Sequence, residues 1–320
     1  MSRRTISIVI PTYNEEENIR PITEAVVEEL DINLSEYNYE IIIIDNNSDD
    51  QTRPIIRELC KENKKVRAIF NEKNFGPDSS PYYGLLQASG DCAILFCADF
   101  QDPLEMIHKL VHEWEKGYTV VTAIKTESQE NKLIRFFRTI YYKLIRKISN
   151  TEIIEHFTGF GCYDQAFLGI LRNLDDSVPF LRGVVAEFAG NRSSITYEQQ
   201  KRRAGKSHIR FFTLYDMAMR SFTSYTKVGL RMCTFFGFGV AVFCTVIALI
   251  YLIRKLINWD AFGFGIPVIL IGMFFIGAVQ LIFMGFIGEY ILTINQRTMH
   301  RPLVVEHERI NFDIEDVEKD

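Results

Sequence analysis

The stretch Cys97-Ala98-Asp99-Phe100-Gln101-Asp102-Pro103 closes an apolar run, Cys92 to Phe96, with two carboxylates and one amide inside four residues. Asp99 and Gln101 alternate with Phe100. In an extended strand end their oxygens project to one side while Phe100 turns into the core. Two oxygen ligands, completed by waters and a substrate phosphate, are a usual way to hold Mg²⁺ or Mn²⁺. Asp102 reads differently. With Pro103 at a first helical position and Glu105 three residues on, it has the form of a helix cap with a capping box. Asp99, at the end of a buried strand, needs a partner for its charge and is the better ligand candidate.

Something must bring that loop to a site, and the preceding residues show what. Ile6–Ile10, Glu40–Ile44, Val66–Phe70 and Cys92–Phe96 are largely apolar, strand-like runs, and helical patterns over Glu16–Leu30, Gln51–Glu62, about Ser79–Ala88 and the residues after Pro103 alternate with them. That alternation predicts an α/β fold with a mostly parallel sheet covered by helices on both faces. Ligands of such sheets sit beyond the carboxyl ends of the strands. Three of those ends carry polar clusters: Pro11-Thr12-Tyr13-Asn14-Glu15, Asp45-Asn46-Asn47-Ser48-Asp49-Asp50 and Asp99-Phe100-Gln101-Asp102. They are expected to converge on one crevice.

The rest of the chain has another character. Met232–Ile253 and Ile266–Ile287 contain no charged residue, and each exceeds the roughly 20 helical residues that cross a bilayer core. Two transmembrane helices are expected, against the alternative of two buried core helices. No apolar run lies near the amino terminus, so the catalytic part is expected in the cytosol, with the carboxyl terminus on the same side. The six cysteines form no CxxC pair, which predicts a reduced compartment and no zinc site. A net charge of -5 gives no reason to expect a nucleic-acid partner.

The motifs "SIVIPTYNEEENI", "EIIIIDNNSDDQT", "NFGPDSSPYYGLLQASGD" and "CADFQDP", in that order, resemble the inverting family 2 glycosyltransferases with the GT-A nucleotide-sugar fold. The continuation "LRGVVAEFAG", "KRRAGKSHI", two spans and "GEYILTINQRTMHRPLVVEHE" resembles the polyprenyl-phosphate glycosyltransferases, relatives of dolichol-phosphate mannose synthase. The resemblance implies that Pro11, Tyr13, Glu15, Asp45, Asn46 and Asp78 line the donor nucleotide, and that Asp99 and Gln101 hold the metal on its diphosphate. It also implies that Arg202 and Ser207 engage phosphates and keeps Asp164 among the catalytic candidates; independently, an anionic acceptor against an anionic donor demands positive charge, for which Arg202, Lys206 and Arg182 are the expected acceptor-side cations. The implied domains are a GT-A domain over 1–208 with an interfacial helix over 132–148, a juxtamembrane helix over 209–230, two spans within 231–293 and a cytosolic tail over 294–320.

The chain departs from that pattern at four places. Cys97 stands where many relatives have a carboxylate, Asn46 replaces the second Asp of the usual "DDGS", and Gly159 and Gly161 replace an acidic residue and an Arg. A missing general base is tolerable if the acceptor is a lipid phosphate, already an anion near neutral pH. Lys201-Arg202-Arg203-Lys206 suits phosphate oxygens, or else forms a juxtamembrane patch for anionic lipid. Lys132–Ile148 sets cations among aromatic and aliphatic residues, as in an interfacial helix or an ordinary amphipathic one.

The expected function is inverting transfer of one sugar from a nucleotide donor, a uridine diphosphate sugar, to undecaprenyl phosphate at the cytosolic leaflet of a bacterial plasma membrane, with Mg²⁺ or Mn²⁺. The alternatives are a processive polysaccharide synthase, which lacks support because neither Trp114 nor Trp259 sits in a Gln-x-x-Arg-Trp motif, and a non-catalytic scaffold or flippase-associated nucleotide sensor. Gly272, Gly277, Gly285 and Gly288 in and just beyond the second apolar run favour a homo-oligomer.

Overall fold

The computed structural model describes residues 3–126, 154–174, 176, 179–200, 203, 228–257, 266–299 and 301–312. They fall into two compact units, one holding the described residues of 3–203 with 299 and 301–312, the other holding the two long helices between them.

The first unit is built on an eight-stranded sheet. Its strands are β1 (Thr5–Thr12), β2 (Asn38–Asp45), β3 (Val66–Asn71), β4 (Cys92–Leu95), β5 (Val120–Lys125), β6 (Phe157–Asp164), β7 (Arg192–Tyr197) and β8 (Glu306–Ile310). The spatial order is β7-β5-β6-β4-β1-β2-β3-β8. Neighbours are parallel except around β6 and at β8, so the sheet is mixed.

Helices cover both faces, as the alternation predicts. Side chains of successive strand residues point to opposite faces. Accordingly Ile6, Ile8, Ile10, Ile41 and Ile43 join one core, while Val9, Ile42 and Ile44 join the other. The first core packs under α1 (Ile19–Asn33), α2 (Thr52–Glu62) and α4 (Met106–Trp114); the second packs under α3 (Gly76–Leu86), α5 (Gln165–Asn173) and α6 (Leu181–Phe188). All four isoleucines of Ile41–Ile44 are fully buried, each contributing roughly 1.5–3 kcal/mol by its burial. That explains a run with no polar residue where a one-sided sheet would alternate.

The carboxyl tail is not a free tail. After the second long helix the chain returns to the first unit, where β8 pairs antiparallel with β3 at the sheet edge. Arg57 pairs with Glu308 at 2.6 Å, and the Asn311 amide donates to the carbonyls of Cys60 (2.7 Å) and Val66 (2.8 Å). The catalytic domain expected to end at residue 208 therefore includes residues after 300.

In the second unit the helices Val228–Ile257 and Ile266–Thr298, α7 and α8, touch at Phe236 and Phe283, whose ring centroids lie 5.8 Å apart. One stretch among the described residues, Phe275–Thr298, is long and apolar enough to cross a membrane, with a mean hydropathy of 1.8 and none of it buried.

Candidate active site

Parallel pairing aligns the carboxyl ends of β1, β2 and β4. Thr12 lies beside Asp45, and Val9 beside Leu95, so the three polar loops emerge at one edge. The loops after β1 and β2 are tied together. The Asn14 amide donates to Ser48 Oγ at 2.9 Å, the Asp49 amide to Asn14 Oδ1 at 2.8 Å, the Glu15 amide to Thr52 Oγ1 at 2.9 Å and the Asn46 amide to the Thr12 carbonyl at 2.9 Å. Asn14 and Asn47 adopt positive φ, at 55° and 65°, a conformation Asn tolerates better than most residues. Pro11 and Tyr13 stay partly accessible at this edge, whereas Glu15 is buried and accepts the Asn18 amide at 2.6 Å.

Asp45 is fully buried and its charge is already balanced. Arg53 Nε donates to Oδ2 at 2.6 Å, and Ser48 donates to it through both its hydroxyl and its backbone amide. The Arg53 guanidinium also reaches the Asn71 carbonyl at 2.6 Å. Asn46 explains its own departure from the usual Asp. Its Nδ2 donates to Asn74 Oδ1 (3.0 Å) and the Gly76 carbonyl (3.1 Å), and its Oδ1 accepts from the Phe75 amide (2.9 Å) and Asn71 (3.1 Å). A carboxylate cannot make the first two bonds. Asn46 thus holds the 74–76 turn that leads into α3, where Asp78 stands in the first turn.

The 97–103 loop differs from its expected form in two ways. Residues 98–100 form a turn, not a strand end, and Phe100 sits at φ 57°. The Asp99 carboxylate is partly exposed; its Oδ1 accepts the Gln101 amide at 3.2 Å, and no other described group takes either oxygen. Asp102 is not a helix cap. The helix begins at Met106 behind a turn, and its cap position is Glu105, without a side-chain bond. Asp102 is instead buried and accepts the Tyr197 hydroxyl at 2.6 Å. Burial pushes its carboxyl up, and burial with the nearby Asp102 pushes the Tyr197 phenol far up. Cys97 opens to solvent at this edge. Even so, desolvation by the protein around it, then the Asp102 and Asp99 carboxylates, push its thiol well up and keep it neutral.

Lys125 was missed from sequence. It ends β5 at the same edge, and its charge acts on both Cys97 and Asp102. The available signal was a cation at the carboxyl end of an apolar run.

Asp164 lies elsewhere. It ends β6, which runs antiparallel to β4, and pairs with Cys92 at the amino end of that strand. Its Oδ1 caps α5 through the Ala166 amide at 2.8 Å, and its Oδ2 accepts Trp114 Nε1 at 2.7 Å. A catalytic role beside Asp99 is therefore corrected to a structural one at the opposite edge. Arg182, in the first turn of α6, stacks over Phe180 at 5.0 Å. Arg202, Lys206 and Ser207, the interfacial segment 132–148 and most of the juxtamembrane segment lie outside the described residues.

Gly159 and Gly161 follow from the backbone. Gly159 has φ 103°, and a Cβ on Gly161 would meet the Val121 carbonyl oxygen at 2.5 Å. An Arg at 161 does not fit this strand pairing.

Among the described residues no three of His, Cys, Asp and Glu gather to hold a metal unaided. The loop offers one open carboxylate oxygen and the Gln101 amide oxygen, which accepts Gln199 Nε2 at 3.0 Å and keeps a second lone pair. That donor set suits Mg²⁺ or Mn²⁺ when phosphate oxygens and water fill the remaining positions.

A family profile described as glycosyl transferase family 2 matches residues 7–177. The chain is 32% identical over 309 residues to the bactoprenol glucosyl transferase of Shigella phage SfV, covering 95% of this chain and 99% of that one. It is also 32% identical over 301 residues to a prophage bactoprenol glucosyl transferase homolog of Escherichia coli K12, covering 93% and 96%. Among solved structures, glucosyl-3-phosphoglycerate synthase from Mycobacterium tuberculosis is similar with a TM-score of 0.49 and 17% identity, over 69% of this chain and 78% of that one. The profile spans more than half of the residues and includes the three loops at the carboxyl edge, and the chain belongs to glycosyl transferase family 2.

Proposed function

We propose that this protein transfers one sugar from a nucleotide diphosphate donor to a polyprenyl phosphate, undecaprenyl phosphate, at the cytosolic face of the bacterial plasma membrane, with inversion. The observation that carries this reading is the similarity to bactoprenol glucosyl transferases over nearly the whole of both chains. Their names make a glucose donor the first to try, with uridine diphosphate as the nucleotide expected from the resemblance.

Pro11 and Tyr13 line the nucleotide, with Asp45 and Asn46 fixing the loops beneath it and Asp78 at the head of α3. Asp99 and Gln101 would hold a divalent cation, which supplies positive charge to the departing diphosphate. The acceptor phosphate is an anion and attacks the anomeric carbon from the face opposite the diphosphate without a general base. The chain's task is to position the two anions and offset their repulsion. Lys125, Arg202, Lys206, Ser207 and Arg182 are the groups we assign to that task.

The membrane placement rests on a topological argument. Strands before and after the long helices belong to one sheet, so crossings between them are even in number. If Phe275–Thr298 crosses, a second crossing is needed. Val228–Ile257, with no charge over 232–253 and Phe235, Phe238, Phe243 and Ile253 exposed, is suited to supply it. A Cβ on Gly272, Gly277, Gly285 or Gly288 would meet open space, room for close contact with a second copy; native mass in detergent tests that homo-oligomer.

The deciding experiment uses purified full-length protein, undecaprenyl phosphate and radiolabelled nucleotide sugars, with Mg²⁺, Mn²⁺ or chelator. Transfer of label from one donor into the organic phase, lost on chelation and in Asp99→Asn, is expected. Nucleotide binding without transfer from any donor would replace this reading with the sensor or scaffold.

A further inference from the structure

Asp102 and Tyr197 stand on two segments that meet at several points. Tyr197 is the last residue of β7, and its hydroxyl donates to Asp102 Oδ1 at 2.6 Å with both residues buried. Just beyond it, the Gln200 amide donates to the Gln101 carbonyl at 2.9 Å and Gln199 Nε2 to Gln101 Oε1 at 3.0 Å. The Arg203 amide approaches the Asp99 carbonyl at 3.5 Å, and its guanidinium lies 5.1 Å from the centre of the Phe100 ring. The loop bearing Asp99 and Gln101 is thus bonded residue by residue to the chain that leads into Arg202, Lys206 and Ser207.

We propose that Asp102 and Tyr197 are positioning residues: their hydrogen bond clasps the donor-side loop to the acceptor-side segment, so that occupation of one is felt by the other. The acceptor assignment of 202–207 rests on the proposed function; the clasp itself does not. Of the contacts above, this is the one between two buried side chains, where a lost partner cannot be replaced by bulk water. The others involve partly exposed amides and depend on the two segments already being held together. Asp102 needs no contact with substrate to act this way. It fixes where the chain beyond Tyr197 turns toward Arg203.

Full-length wild type, Tyr197→Phe, Asp102→Asn, Asp102→Leu and the double variant Asp102→Leu/Tyr197→Phe would be compared in detergent by amide hydrogen exchange, with and without uridine diphosphate and Mn²⁺, and by steady-state kinetics. In the absence of nucleotide, exchange at Gln200 and Arg203 is expected to rise about tenfold in Tyr197→Phe and Asp102→Leu, one lost hydrogen bond's worth of protection. Asp102→Asn still accepts from Tyr197 and is expected to stay near wild type. Nucleotide with Mn²⁺ is expected to slow exchange at both ends of the clasp in wild type, and at residues 12–15, 45–52 and 98–102 but not at Gln200 and Arg203 in the severed variants. Acceptor KM is expected to rise about tenfold at unchanged nucleotide affinity, and the double variant to match either single one.

Equal exchange at Gln200 and Arg203 in wild type and Tyr197→Phe overturns the clasp. So does a variant that loses thermal stability with acceptor KM unmoved, which is a purely structural bond. Absence of transfer in wild type counts against the proposed function alone, because the nucleotide-free exchange still decides the clasp.

Discussion

The two edges of the parallel strands both carry buried or half-buried carboxylates, yet they treat them differently. At the amino edge Glu40 accepts from Ser7, from the amide and hydroxyl of Ser89, and from Arg67 at 2.8 Å, while Asp164 accepts from Ala166 and Trp114. All four oxygens of Glu40 and Asp164 are claimed by a neighbour in the fold. At the carboxyl edge Asp45 and Asp102 are likewise claimed, by Arg53 and Ser48 and by Tyr197, but Asp99 keeps an oxygen that no described group takes. Burial of a carboxylate therefore does not mark a functional site in this protein. What marks it is an oxygen left open at the edge where the loops converge.

This comparison is sharpened most by Asp99→Asn. Turnover is expected to fall at least about a thousandfold, roughly 4 kcal/mol of transition-state stabilisation, with the melting temperature unchanged; a folded variant retaining a tenth of the activity would break the distinction. Next, Glu40→Ala removes the buried acceptor that Ser7, Ser89 and Arg67 share. A loss of about 3 kcal/mol in urea unfolding is expected, with acceptor and donor KM unaltered in the folded fraction. A stability change under 1 kcal/mol would mean these donors find water and the amino edge is looser than its hydrogen bonds suggest. The smallest effect belongs to Asp164→Ala, which removes one helix cap and a Trp114 partner. About 1–2 kcal/mol of stability is expected to go, and kcat within twofold of wild type; a large loss of kcat at full stability would restore Asp164 to the site.

The loops show how far residue types could be read. The apolar runs named the four leading parallel strands to within a few residues, because a strand buried on both faces is apolar along most of its length. The convergence of Pro11, Asp45 and Asp99 follows from that topology alone. Asp102 was misread because Pro103 and Glu105 satisfy a local capping pattern, while its actual partner, Tyr197, is 95 residues away. Phe100 packs on the core as expected, but the strand end was misread for a related reason: residues 98–100 form a turn, with Phe100 at φ 57° and Arg203 stacking over its ring, a distant contact that leaves no local mark.

Local sequence determined what depends on neighbours along the chain: strand and helix periods, the uncharged runs, and the polar residues at strand ends. Tertiary structure alone decided what depends on residues far apart. It set Asp164 at the wrong edge for chemistry by making β6 antiparallel. It returned Glu306–Ile310 to the sheet as an edge strand, and it left Asp99 open while claiming its neighbours. The physical reason is the same in each case. A hydrogen bond or a strand pairing is a statement about two positions at once, and a single stretch of sequence specifies only one of them.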